Sequence, residues 1–345
     1  MFTQQLTIDS IEALLPEGYT ARGATMDDLE ATVAVFNACA RALNSGEEFN
    51  AIDFRSEWEV PNLDLSHDLR LVISPAGQIV GYMEFWDLSE PHIRYRAWGR
   101  VHPDHLNRGL GTYLVRWAEQ RAQQAIPRAL QESRIWMTSW VNDLNLRAKL
   151  LFENCGWHVI RKNYRMAIEL TAPPADPIWP DGITLRTFVP GQDERATVQA
   201  DRDAFRDHWG YVERPLEAEI KMLKHHMSKP GFDPTLWLLG MDGHRVAGKC
   251  LNDPQAEDDP DMGWITDLGV RREYRRRGLG QALLQYSFAD FYRRGKRKVG
   301  LNVDASSLTG ALRLYEHAGM HVVRVNSTYE KELRAGVDLS TQSIS

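Results

Sequence analysis

The sequence predicts a mixed α/β fold made of two tandem copies of one domain. Three observations carry this expectation. The 345 residues are a two-domain length. An Arg-Gly-Leu-Gly turn occurs twice, in "NRGLGTYLVRWAE" from Asn107 and in "RRGLGQALLQYSF" from Arg276, each time heading a run of helical period. Landmarks around those turns also recur in one order at nearly one spacing: Pro16 and Pro180 are 164 positions apart, Gly77 and Gly243 166, Gly109 and Gly278 169, Gly156 and Gly319 163. The two copies are expected over 1–170 and 183–333. The stretch "TAPPADPIWPDG" (171–182) is proline-rich without apolar period and is expected as a linker. Residues 334–345 are small and polar and are expected as a flexible tail.

The elements are easiest to justify in the second copy. Ile183–Thr187 is an apolar strand, and "GQDERATVQADRDAF" starts a helix. "TLWLLGMDGHRVAGKCL" places two apolar runs around Asp242-Gly243, a hairpin signal. "GWITDLGV" is a further strand, and Leu279, Leu283 and Tyr286 recur at helical spacing after the glycine turn. "KVGLNV" is a strand, "SLTGALRLYEHAGM" a helix ended by Gly319, and "HVVRV" and "STYEKEL" close the copy as two strands. In the first copy Ile93, Tyr95 and Ala97 alternate before the turn, and Leu110, Leu114 and Trp117 form the stripe after it.

Composition narrows the function. A hydrophobic content of 43% and a charged content of 26% are enough for ordinary cores. The formal charge of −6 counts against a nucleic-acid coat and suits a small cationic substrate. Two basic runs, "RREYRRRG" and "RRGKRKVG", are the features a nucleic-acid binder would show, but no aromatic stacking signature accompanies them. Cys39, Cys155 and Cys250 are far apart and in no metal-ligand spacing, so reduced thiols and no metal are expected. The opening "MFTQQLTIDSIEALLPEGY" lacks the pattern of a signal peptide, and no apolar run approaches the roughly 20 residues needed to span a bilayer. The expected compartment is the cytoplasm.

A strand, then Arg-x-x-Gly-x-Gly, then a helix suits phosphate. Glycine permits close backbone approach, successive N–H groups share one concavity, and the helix N-terminus adds about half a positive charge. The second copy reads Arg275-Arg276-Arg277-Gly278-Leu279-Gly280. No Lys-Ser or Lys-Thr comes after it, which excludes a P-loop, and Leu283 stands where a dinucleotide fold needs a third glycine. A tight turn that only lets a helix pack would use the same glycines.

Beyond Gly280 comes "GALRLYEHAGM", whose Tyr315 lies 35 residues on. The pairing of this helix with the glycine turn resembles the GNAT superfamily of N-acetyltransferases. The tandem, two-domain arrangement is similar in architecture to mycothiol synthase. The resemblance implies that each unit is a mixed, largely antiparallel sheet flanked by helices. It implies an acetyl-CoA-dependent N-acyltransferase that acetylates a small-molecule amine by direct transfer in a ternary complex; the alternative is a non-catalytic coenzyme A-binding module. Acetyl-CoA would be the co-substrate, with no metal, no nucleic acid and no membrane partner. A pseudo-dimer within one chain is consistent with a monomer.

The resemblance also assigns residues. Leu268, Gly269 and Val270 would pair with the pantetheine arm, an N–H near Leu268 facing the thioester oxygen. Arg275, Arg276, Arg277, Gly278, Leu279, Gly280 and Gln281 would cradle the pyrophosphate. Ala311, Leu314, Tyr315 and Glu316 match the later family helix, which makes Tyr315 the acid for the departing thiolate; an amphipathic helix would equally use its ring for packing. The position of the family's glutamate base falls on Trp264, so the nearest carboxylate of that strand, Asp267, is the candidate base, directly or through a water. His208, Trp209 and Glu213 in "AFRDHWGYVE", and "KHH" at 224–226, fall where the family builds its acceptor cleft. In the first copy Leu106 stands at the head of the turn. Arg108, Gly109, Leu110, Gly111 and Thr112 keep the turn itself, Val101 the strand end, and Asn145 and Ala148 the later helix. Phe152 stands in the place of Tyr315 and has no proton to give. The first unit is therefore expected to be catalytically degenerate, a weaker coenzyme site that buttresses the second.

Overall fold

The computed structural model describes residues 8–43, 49–88, 90–307 and 310–342. The first half of the chain forms α1 (Ile8–Glu12), β1 (Thr20–Arg22), α2 (Leu29–Ala42), α3 (Ala51–Trp58), α4 (Leu65–Asp68), β2 (Leu69–Ile73), β3 (Ile79–Trp86), β4 (Arg94–Val101), α5 (Leu110–Ala125), β5 (Ile135–Asn142), α6 (Leu146–Asn154) and β6 (His158–Glu169). The second half forms β7 (Ile183–Thr187), α7 (Glu194–Phe205), α8 (Leu216–Met227), β8 (Leu238–Asp242), β9 (Arg245–Asp253), β10 (Met262–Val270), α9 (Leu279–Arg293), β11 (Lys298–Asp304), α10 (Ala311–His317) and β12 (His321–Arg334).

Two compact units result. The first takes residues 1–160 and 327–339, the second 161–326 and 340–345. Within the first the strand order is β1-β2-β3-β4-β5 and then β12; within the second it is β6-β11-β10-β9-β8-β7. β4 pairs with β5 and β10 with β11 in parallel, whereas β1–β2, β2–β3, β3–β4, β6–β11, β9–β10, β8–β9 and β7–β8 are antiparallel. Helices cover these sheets because their apolar stripes face them. Leu110, Leu114 and Trp117 of α5 pack on Phe85 and Tyr95. Leu279, Leu283 and Phe288 of α9 pack on Leu238, Ile265 and Leu301.

The repeat is visible in the backbone. Gly77 and Gly243, Gly109 and Gly278, and Gly156 and Gly319 all adopt positive φ, at 78° and 55°, 83° and 88°, 82° and 92°. Each pair marks the same turn in each unit, a conformation that side chains with a Cβ rarely adopt. An Arg–Asp clasp is duplicated as well: Arg22 grips Asp28 at 2.7 and 2.6 Å, and Arg186 grips Asp193 at 2.6 and 2.8 Å.

Three features differ from the expectations drawn from sequence. The strands expected over "HVVRV" and "STYEKEL" are one strand, β12, because neither Gly nor Pro interrupts the run. The two copies were expected to close with their own last strands, over 1–170 and 183–333. Instead, residues 327–339 complete the first unit, where Arg134, just before β5, meets Glu330, Glu332 and Asp338. The stretch 161–169 joins the second, with Ile168 opposite Val299 and Arg165 opposite Asn302. The tail after Arg334 is also engaged. Val337 exchanges backbone bonds with Glu132 and Arg134 at 2.7 and 2.9 Å, and Thr341 is held in the second unit. Residues 343–345 and the first seven of the opening stretch lie outside the described residues, as do 308 and 309 of the expected "SLTGALRLYEHAGM" helix.

Candidate active site

In the second unit β10 pairs with β11 only from Met262 to Ile265. Beyond that point the two parallel strands separate. A register shift against β9 between Ile265 and Asp267 bulges β10 at Thr266 and re-aims the rest of the strand. The edge of Leu268, Gly269 and Val270 that faces away from β9 is thereby left without a strand partner. After Val270 the chain turns through Arg271–Arg275, and Arg276 and Gly278 both take positive φ, 58° and 88°. The helix α9 then starts at Leu279 with no side-chain cap. Its first backbone bond runs from Ala282 N–H to the Gly278 carbonyl at 3.0 Å, so the amides of Gly278, Leu279, Gly280 and Gln281 have no backbone acceptor among the described residues. A Cβ on Gly278 would meet nothing within 4 Å. Glycine is required there by φ, not by crowding.

The arginines of the turn divide. Arg275 points inward: it donates to Asp207 at 2.5 and 2.9 Å and to the Ala204 carbonyl at 2.8 Å, tying the turn to the end of α7. Arg272 adds a bond to Asp207 at 3.3 Å, and Arg271 pairs with Asp203. Arg277 lies over Tyr274 and donates to the Asp181 carbonyl, while Arg276 and Arg277 are both exposed beside the free amides. The other basic run is locally neutralised, with Arg293 and Arg294 on Asp290, Arg294 on Asp233 and Lys298 on Asp259.

Beside the gap between β10 and β11 sits a charge cluster built on a buried ammonium. The ammonium of Lys249, on β9 and 1% exposed, lies 2.7 Å from Asp201 of α7 and 2.6 Å from Oδ2 of Asp267. Asp267 Oδ1 is buried, and the Asp267 carboxyl also shares a hydrogen bond with Asp201. Burial pushes the Asp267 carboxyl above the usual range; Lys249 pulls it back and Asp201 pushes it up again. Asp201 itself is held low, burial being outweighed by Lys249. Tyr315, on α10 and 7% exposed, lies near enough to feel the charges of Cys250 and Asp267. Burial raises its phenol well above the ordinary value, and the neighbouring Cys250 and Asp267 raise it further. Trp264, at the family's glutamate position, is instead stacked under Arg165 at 4.8 Å.

The residues expected at an acceptor cleft are dispersed. Half-buried His208 packs edge-on against Phe205, its pKa lowered chiefly by burial. Trp209 Nε1 donates to Gln342 at 3.0 Å and lies under the Arg161 guanidinium at 4.3 Å. Glu213 is exposed and reaches Arg202 at 3.7 Å. His226 meets Asp253 at 2.9 Å, away from the cluster. The tail fastens this loop: Gly210 N–H donates to the Thr341 carbonyl at 2.7 Å, Thr341 N–H to the Tyr211 carbonyl at 2.9 Å, and Thr341 Oγ1 to the Arg206 carbonyl at 2.9 Å. A chain ending at Leu339 should therefore melt at a lower temperature, since each lost bond is worth about 1 kcal/mol. An unchanged melting temperature in the shortened chain would show that the strap does not steady the loop.

The first unit keeps the turn and loses the cluster. Gly109 takes φ 83°, α5 has no side-chain cap, and its first bond is Tyr113 N–H to the Gly109 carbonyl at 3.0 Å. The amides of Leu110, Gly111 and Thr112 are thus arranged as in the second unit. Arg108 donates to Tyr19 at 3.1 Å, Val101 accepts from Cys39, and Asn145 caps α6 by accepting from Ala148 N–H at 3.0 Å. The strand β4 pairs with β3 in unbroken register, Trp86 opposite Arg96 to Gly81 opposite Val101, without the bulge. Because Gly248 opposes Val270 as Gly81 opposes Val101, Tyr82 corresponds to Lys249 and Trp98 to Asp267. Counting eight residues from the clasp aspartates, Phe36 corresponds to Asp201. Those three are an aromatic cluster, Phe36 lying 5.2 Å from Tyr82 and 4.8 Å from Trp98. Phe152 stacks on Tyr329 at 5.5 Å.

Residues 36–157 and 197–320 each match the acetyltransferase (GNAT) family. The chain belongs to the GNAT acetyltransferase family. Among its relatives are the mycothiol acetyltransferase of Streptomyces bingchenggensis, 29% identical over 77% of this chain and 79% of that protein, and that of Thermobispora bispora, 32% identical over 67% and 74%. The crystal structure of a GCN5-related N-acetyltransferase from Sphaerobacter thermophilus is 38% identical and superposes with a TM-score of 0.79 over 95% of this chain and 100% of that one. A tandem GNAT protein from the clavulanic acid biosynthesis pathway, 14% identical, shares the fold at a TM-score of 0.69 over 92% and 100%. The protein is thus an N-acetyltransferase of GNAT type with two tandem GNAT units. The parting of β10 from β11 falls beside Leu268–Val270, and the bare head of α9 falls at Gly278–Gln281. Lys249 and Asp201 were not foreseen, although a lysine inside the apolar run "RVAGKCL" was the available signal.

Proposed function

We propose that the second unit transfers an acetyl group from acetyl-CoA to the amine of a small molecule, by direct attack in a ternary complex. The observation that carries the reading is the juxtaposition of Asp267 and Tyr315 beside the parted strands, next to a helix head with unsatisfied amides. Those residues fit the coenzyme: four free N–H groups and the exposed Arg276 and Arg277 suit a pyrophosphate, and the unpaired edge of Leu268–Val270 suits an amide-bearing arm. Acetyl-CoA supplies the activated acyl group. Asp267 takes a proton from the attacking amine as the N–C bond forms. An N–H near Leu268 stabilises the oxyanion, and Tyr315 gives its proton to the sulfur as the C–S bond breaks.

A panel of small amines, with mycothiol-related acceptors first because of the relatives' name, read by release of free coenzyme A, tests this. Thiol release with no amine in the panel, by protein that still binds acetyl-CoA, would replace the reading with that of a coenzyme-binding module.

The first unit lacks an acid at Phe152 and has rings where the second unit has charges. Gly109→Val should therefore spare turnover. If the first turn does bind coenzyme, wild type should gain thermal stability from coenzyme A in two titration steps and Gly109→Val in one; a site hundredfold saturated contributes about 2.7 kcal/mol. Lost turnover in folded Gly109→Val that still binds coenzyme at the second unit would contradict the division of labour.

A further inference from the structure

We propose that Lys249 is a positioning residue: its buried ammonium holds Asp267 Oδ2 and ties that carboxylate to Asp201, setting Asp267 in place as the base for the amine proton. The inference rests on the reading of Asp267 as the base. Three observations carry it. Lys249 sits within salt-bridge distance of both carboxylates and is 1% exposed, so its charge has no solvent to lean on. Asp267 is held at Oδ2 and against Asp201, yet its side chain is still 26% exposed and so within reach of an acceptor. The fold does not need the cluster, since the first unit builds the same place from Phe36, Tyr82 and Trp98.

The aromatic counterpart in the first unit decides between structure and function. Replacing buried ion clusters by packed apolar groups is often neutral or stabilising, so a charged trio kept beside a reaction gap is poor scaffolding. As a device for proton transfer it makes sense. Two carboxylates and one ammonium carry a net single negative charge. Asp201 stays ionised against Lys249, and Asp267 is the member driven toward neutrality, which is the condition for a base that works near pH 7. The groups facing the trio are Cys250 and Tyr315 on the side of Asp267, and His208, Tyr211 and Glu219 on the side of Asp201. The Phe205 ring, 5.6 Å from the ammonium, shields it.

The test is the titration of Asp267, tracked by carboxyl 13C resonances in aspartate-labelled protein and assigned by their loss in Asp267→Asn. Lys249→Met should raise the Asp267 midpoint by about one pH unit or more, Asp201→Asn should lower it, and Lys249→Arg should restore a value near wild type. The acid limb of kcat/KM for the best amine of the panel should move with it, and a role in packing alone would lower the rate without moving either. A midpoint within about 0.3 unit of wild type in folded Lys249→Met overturns the proposal. If Lys249→Met fails to fold, judged by circular dichroism and acetyl-CoA titration, Asp201→Asn decides, and no downward shift there overturns it. Wild-type kcat/KM and acid limb in Asp267→Asn would instead remove Asp267 as the base. Loss of rate in Asp267→Asn with an unmoved midpoint in Lys249→Met would sink the positioning role alone.

Discussion

Tyr315→Phe is expected to slow acetyl transfer by about 100- to 10,000-fold while acetyl-CoA affinity stays close to wild type, the range that general acid catalysis usually contributes. The substitution removes one oxygen from a ring that is already packed among Leu301, Val303 and Met320. Its cost to folding should be small, and the loss is of a proton rather than of shape. The phenol is pushed above its ordinary value by burial and by Cys250 and Asp267, so it is protonated throughout the neutral range. It can give that proton only as negative charge builds on sulfur. Single-turnover rates of coenzyme A release, compared at saturating acetyl-CoA, measure this. A fall of less than about threefold would mean that the departing thiolate is protonated from elsewhere.

Gly278→Val should weaken acetyl-CoA binding by the second unit roughly a hundredfold, the cost of losing about two charge-assisted hydrogen bonds. The cause is conformational. Nothing lies within 4 Å of a Cβ at this position, but φ is 88°, a region that a β-branched residue avoids. Relief of that strain turns the next amides away from their common direction. Gly278→Asn separates conformation from size: asparagine tolerates the left-handed region, so its affinity should fall far less than that of valine. Isothermal titration with acetyl-CoA distinguishes them. Equal losses in the two variants would show that bulk toward the ligand, not backbone direction, is what matters.

The domain's outline was legible because glycine leaves an unambiguous mark. Gly77, Gly109 and Gly156 with their partners Gly243, Gly278 and Gly319 lie at left-handed turns that other residues resist, so their spacing reports the duplicated backbone directly. The hairpin around Gly243 and the strand Ile183–Thr187 came from local turn chemistry and apolar runs. Lys249 was not legible, because period and propensity cannot say that a lysine on a strand has two aspartates waiting from α7 and β10. Arg275 was read as a phosphate ligand from its place in the motif; its bidentate bond to Asp207 depends on a contact 68 positions away. The fate of the last strands was invisible for the same reason. Nothing in "STYEKEL" says which sheet it will join.

The exchange of closing strands bears on how the protein is made. The first unit's sheet needs residues 327–339, and Arg134 finds Glu332 across 198 positions of chain. On the ribosome the N-terminal half therefore emerges long before the strand that finishes it, and β5 waits as an open edge, the kind of surface on which strands of other molecules add. Expressing residues 1–170 alone would make that waiting state permanent and should give an aggregating product. A first unit that needs residues 327–339 gains its full stability only once they are made, and cuts reaching into that stretch damage the N-terminal half as well as the second unit.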